Sequence, residues 1–216
     1  MPSRRLLLLA APAAVAAFAL AGCSLADDGP RTTQTRHVAA FTRIDNPSSV
    51  DLRLHIGEPQ RVKVRAGEKV IGDVRTEVHD GTLEVTFDHD GLLGSDVVVD
   101  ASVPRLTGID VAGSGDVDAD GIDADAFALR SDGSADIALA GAAETLRVSL
   151  NGSGDADLAD LNTKAASVAV SGSGNADVRA DDRLMVEVDG SGDVRYHGSP
   201  ALTQHVDGSG DLTHVQ

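Results

Sequence analysis

The sequence predicts an all-β protein, a parallel β-solenoid (β-helix-like) with coils of about 18–20 residues. Three observations predict it. First, the phrase Gly-Ser-Gly-Asp recurs at Gly113-Ser114-Gly115-Asp116, Gly152-Ser153-Gly154-Asp155, Gly190-Ser191-Gly192-Asp193 and Gly208-Ser209-Gly210-Asp211. Two variants, Gly133-Ser134-Ala135-Asp136 and Gly172-Ser173-Gly174-Asn175, fill the gaps at the same spacing. Second, each phrase is flanked on both sides by short runs of alternating aliphatic and polar residues. Third, aromatic residues make up only 2% of the chain. A slender interior filled by stacked aliphatic columns has no room for large rings.

Each unit reads as strand, corner, strand, corner. Ahead of the phrase lie Ile109 and Val111, Val148 and Leu150, Val168 and Val170, Val186 and Val188, separated by single residues that face the other way. After it come Val117 and Ala119, Ile137 and Leu139, Ala156 and Leu158, Ala176 and Val178, Val194 and Tyr196. Alternation of this kind is a strand with one buried face. Glycine at the bend supplies left-handed backbone or close approach, and serine and aspartate can bond turn backbone groups. A second corner follows at Gly121, Gly141, Asp160, Asp181 and Gly198. Units that repeat at a fixed period bury their apolar faces against one another.

The N-terminal half lacks the phrase but keeps the alternation, as in Val50, Leu52, Leu54 and Ile56, and again in Val97, Val99, Ala101 and Val103. Gly94-Ser95-Asp96 reads as a degenerate copy. If all these strands join one stack, eight or nine coils are expected. Asp80-Gly81 between Val78 and Leu83 is a hairpin signal, which locally favours an antiparallel sandwich over residues 50–103. No segment after residue 23 has a helical period.

The chain is divided as a signal peptide of the lipoprotein type over 1–22, a lipidated cysteine with a flexible tether over 23–36, and a single solenoid domain over 37–216. Arg4 and Arg5 precede an apolar run from Leu6 to Leu20, the pattern of a secretory signal. Leu20-Ala21-Gly22-Cys23 resembles the bacterial lipobox, which implies cleavage before Cys23 and a lipid on its sulfur. Cys23 is the only cysteine, so no disulfide braces the domain. Residues 24–36 are polar, carry Gly29-Pro30 and read as the tether.

The formal net charge is −16, and more negative still without Arg4 and Arg5. An acidic surface of that size repels nucleic acid, so none is expected as partner. The expected partners are the membrane, through the lipid, an unspecified envelope, protein or glycan ligand, and a second copy docked on the open end of the solenoid.

Three kinds of chemistry are open to these residues. The acidic corner row of Asp116, Asp136, Asp155, Asp193 and Asp211 faintly resembles calcium-binding β-rolls, which supply hard oxygen ligands in register. Those rolls repeat at about half this period. Stacked carboxylates repel by roughly 1 kcal/mol per neighbouring pair at water's dielectric, so the row needs relief from backbone N–H groups, cations or outward splay. Asp157, Asp177 and Arg195 share one register and could serve a polysaccharide lyase or hydrolase, though such sites want paired carboxylates at set separations. His197 and His214 fall close in the final coils and could approach each other. No nucleophile elbow or phosphate loop is present. Neither catalytic residues, cofactor nor resident metal is expected.

The stretch from Phe41-Thr42-Arg43-Ile44 through VDLRLHIGEPQRVKVRAGEKVI and VRTEVHDGTLEVTF to VDASVPRLTGIDVAGSGDVDADGI resembles the family of the auto-transporter adhesin head GIN domain. Its most specific part is Val103 to Asp116. The resemblance runs from about residue 38 to the C-terminus. It implies a secreted or lipid-anchored bacterial envelope protein with a β-helical fold and an adhesin-like binding or structural role. The family defines no catalytic or ligand residues, so it assigns none here.

Overall fold

The computed structural model describes residues 28–88 and 96–215. No helix occurs among them, and the fold is a parallel β-solenoid of about 5 turns. The first coil consists of β2 (Arg43–Asn46) and β3 (Asp51–Ile56). Upon it lie β8 (Gly108–Val111) and the start of β9 (Val117–Ser131), both parallel, with Ile44 under Ile109 and Leu52 under Val117. Coil then follows coil through β10 (Ile137–Gly152), β11 (Ala156–Leu158), β12 (Leu161–Gly172), β13 (Ala176–Arg179) and β14 (Arg183–Gly190). The stack ends with β15 (Val194–His197), β16 (Ala201–Gly208) and β17 (Leu212–His214).

Aliphatic columns fill most of the interior. It also takes the ring of Phe127 in β9, 2% exposed, against the expectation that large rings would find no room. One column runs Leu52, Val117, Ile137, Ala156, Ala176, Val194. Another runs Ile44, Ile109, Leu129, Val148, Val168, Val186. All of these are at most 2% exposed. The phrase works by close approach. At Gly172, φ is +131°, and an added Cβ would fall 2.3 Å from the Gly152 carbonyl oxygen beneath it. Gly113 and Gly133 lack positive φ, so there the close approach alone calls for glycine.

The N-terminal half departs from the expectation of eight or nine coils. The step from first coil to second spans 65 residues, because residues 57–107 are an insertion. It holds β4 (Arg61–Gly67), β5 (Val74–His79), β6 (Thr82–Phe87) and β7 (Val98–Val103). β5 and β6 form the antiparallel hairpin that Asp80-Gly81 signals, with φ of 49° and 75° at the turn. β6 and β7 pair with β2 and β3 on the side opposite the later coils. Antiparallel β4 then covers β7. The insertion thus closes the N-terminal end of the solenoid.

Two further expectations change. The tether assigned to 24–36 stops short of its last six residues: β1 (Arg31–Arg36) pairs antiparallel with β4 from Arg31–Gly67 to Arg36–Val62. Arg36 also donates to the Ile71 and Val74 carbonyls. Alternation in a threonine-rich segment was too polar to register as a strand. Gly94 and Ser95 of the degenerate copy lie outside the described residues, as does Cys23. The position beneath Gly113-Ser114-Gly115-Asp116 belongs to Ser48-Ser49-Val50-Asp51.

Candidate functional site

The corner aspartates form a ladder running up one edge of the molecule. The backbone N–H of each donates to Oδ1 of the residue one coil below. Asp116 donates to Asp51 (3.1 Å), Asp136 to Asp116 (3.2 Å) and Asp155 to Asp136 (3.1 Å). Asn175 then donates to Asp155 (2.9 Å), Asp193 to Asn175 (3.0 Å) and Asp211 to Asp193 (2.9 Å). Asn175 adds a second bond from its amide Nδ2 to Asp155, also 2.9 Å. Backbone donors therefore supply the relief that stacked carboxylates need. Among the described residues no three His, Cys, Asp or Glu side chains gather as metal ligands would.

Asp51, the foot of the ladder, is invisible to a search for the phrase because serines and valine precede it. The signal was present in Asp51-Leu52-x-Leu54, which has the Asp-aliphatic-x-aliphatic form of Asp116 to Ala119. Buried Asn46 holds this cryptic corner. Its Nδ2 donates to the Val50 carbonyl at 2.6 Å, and its Oδ1 accepts from the Ser48 N–H at 3.3 Å.

Beside the ladder, the outward residues of the next strands stack as Arg53, Asp118, Ala138, Asp157, Asp177, Arg195 and Thr213. The shared register of Asp157, Asp177 and Arg195 is thus present. With Asp155, Asn175 and Asp193 they line a shallow groove of about 350 Å³. His197 Nε2 lies 2.9 Å from Asp177 Oδ1, with both atoms buried and out of alignment for a hydrogen bond. His214 instead stacks on Tyr196 at 4.9 Å, and its Nε2 meets the Gly198 carbonyl at 2.8 Å. The two histidines therefore have separate partners.

Other faces are also charged. Glu144 and Lys164 pair at 2.5 Å on the rim of a second groove; the pairing lowers the Glu144 carboxyl and raises the Lys164 ammonium. On the far side Asp45 sits between Asp110 and Glu84 on adjacent strands. Burial first, then those two carboxylates, raise its pKa against the opposing pull of Arg43. A hydrogen bond from Asn151 holds Asp132 below the usual range.

These features define a short parallel β-solenoid with one capped end, an acidic corner ladder and shallow grooves between its rows. The chain belongs to the family described as putative auto-transporter adhesin, head GIN domain, whose profile matches residues 40–200. Solved structures share the fold. A putative adhesin from Bacteroides fragilis is 20% identical with TM-score 0.67, covering 86% of this chain and 97% of that one. One from Parabacteroides distasonis is 20% identical with TM-score 0.59, covering 87% and 98%. One from Parabacteroides merdae is 18% identical with TM-score 0.57, covering 87% and 97%. No curated protein matches the chain.

Proposed function

We propose that this chain is a non-catalytic, adhesin-like binding scaffold of the bacterial envelope. A lipid on Cys23 holds it to the outer side of the cytoplasmic membrane. The observation that carries the scaffold reading is the ladder: carboxylate after carboxylate spends an oxygen on a backbone N–H, which makes the acidic row a structural spine. Family membership and the names of the structural relatives support the same reading. The lipobox supports the anchor. The bare C-terminal end, where all eight residues of β16 are exposed, supports association with a second copy.

The anchor is tested by Cys23→Ala. The variant is expected in the medium or periplasm instead of the membrane fraction. Retention at the membrane would sink the lipid assignment. A second reading, a polysaccharide-cleaving enzyme, is favoured by one observation: Asp157, Asp177 and Arg195 line one groove. It requires turnover that Asp157→Asn abolishes, whereas the scaffold turns over no glycan.

A further inference from the structure

One groove breaks the acidic pattern of the surface. It encloses about 540 Å³, against about 350 and 260 Å³ for two carboxylate-lined grooves nearby. Arg43, Arg105 and Arg147 line it, with Asp125 the one carboxylate. Arg43 and Arg147 stand in a single register column, Arg43, Gly108, Ala128, Arg147. Three strand steps put their backbones about 14 Å apart.

The placement of Arg43 is built in. Arg43 is anchored by Asp110, Nη2 to Oδ2 at 2.6 Å. Its guanidinium lies across Gly108, where an added Cβ would fall 2.7 Å from Nη1. Gly108 lacks positive φ, and the same Cβ would fall 3.0 Å from the Ala128 carbonyl oxygen. The tight approach of strand and guanidinium together therefore favours a glycine inside this strand. Arg105 and Arg147 meet no carboxylate among the described residues. Between the three cations the floor is small, made by Ala126, Ala128 and Thr145.

We infer that this groove binds an anionic polysaccharide bearing carboxylates along its chain. The inference rests on the scaffold reading and names its ligand class. Arginine forks match carboxylates in bidentate geometry. Cations spread along several coils suit an extended ligand with repeated charges. A flat alanine floor accepts the C–H faces of sugar rings, and threonine can bond their hydroxyls. Recognition here needs no aromatic platform, which fits a chain with 2% aromatics. The acidic ladder occupies another edge, and screening at physiological salt confines its field to about 8 Å.

The test is calorimetric titration of the full chain, purified in detergent, with polygalacturonate, dextran and inorganic polyphosphate. Saturable binding of polygalacturonate, weakened by high salt, is expected, with none of dextran. Arg105→Ala and Arg147→Ala should each weaken it about tenfold, the effect of losing one charge-assisted bond. Arg195→Ala, in the groove beside the ladder, should leave it unchanged, and circular dichroism melts should match for all three. No binding, or equal loss with Arg195→Ala, would overturn the site. Polyphosphate binding as tight as polygalacturonate would overturn the ligand class. Shortening of the polygalacturonate during titration would instead sink the non-catalytic reading, while its retained dependence on Arg105 and Arg147 would still support this site.

Discussion

At the scale of single residues, the ladder shows why one short carboxylate repeats. Aspartate has the reach to place an oxygen on the N–H one coil above, and that N–H sits at a bend where no strand partner serves it. Asn175 keeps the oxygen, which accepts from Asp193, while its amide nitrogen donates to Asp155. The useful property is therefore the acceptor and not the charge. Asp155 carries the most, since it takes both the Asn175 N–H and Nδ2. Asp155→Ala is expected to cost about 1 kcal/mol, because it strands two donors that water can partly serve. Asp155→Asn should stay within about 0.5 kcal/mol of the parent, as surface substitutions that keep their contacts do. Urea denaturation of the two variants separates the cases. Equal losses would show that charge, and not the accepting oxygen, holds the corner.

At the scale of elements, legibility follows the period. From Gly113 onward the strand segments beside each phrase lie where its flanking aliphatics place them, because identical backbone bends must stack in register. The second corner is less of a break than expected: Gly121 and Gly141 lie inside the continuous strands β9 and β10, and 124–129 and 161–166 are strand. The insertion was only partly legible. Its hairpin declared itself through Asp80-Gly81, but nothing in 57–107 announces that β6 and β7 close one end while β4 and β1 turn antiparallel. Those pairings are decided by tertiary contact, as strand preferences often are. Likewise, Arg43, Arg105 and Arg147 are scattered in sequence and meet only because the 65-residue step stacks Gly108 on Arg43. Two glycines test whether close stacking defines the corners. Gly57 has φ of +96° with open space where a methyl group would stand, whereas Gly172 combines φ of +131° with the carbonyl contact. Gly57→Ala should cost about 1–2 kcal/mol from left-handed backbone alone. Gly172→Ala should cost clearly more. Equal costs by chemical denaturation would remove close approach as the reason for the phrase.

At the scale of the whole molecule, the two ends differ. The N-terminal end is sealed by β6, β7 and β4, while the last coil leaves Leu202 38% and Val206 37% exposed. An unpaired edge with apolar residues over a continuous core is a template for another strand. β16 is self-complementary in one antiparallel register, centred on Gln204. In it Leu202 of one copy opposes Val206 of the other, Thr203 opposes His205, Ala201 opposes Asp207, and the two Gln204 amides meet on the two-fold axis. No like charges face each other, and apolar residues oppose apolar ones, as an isologous interface requires. Gln204 follows Val186 in its inward column, so this polar residue stands where the aliphatic stack stops. The wild-type chain is therefore expected to sediment as a dimer that dissociates on dilution. Val206→Lys should make it monomeric with its far-ultraviolet spectrum unchanged, since the side chain is already partly exposed and its loss removes little core. A wild-type chain that sediments as a monomer at every concentration would overturn the assembly, and a dimer untouched by Val206→Lys would move the interface elsewhere.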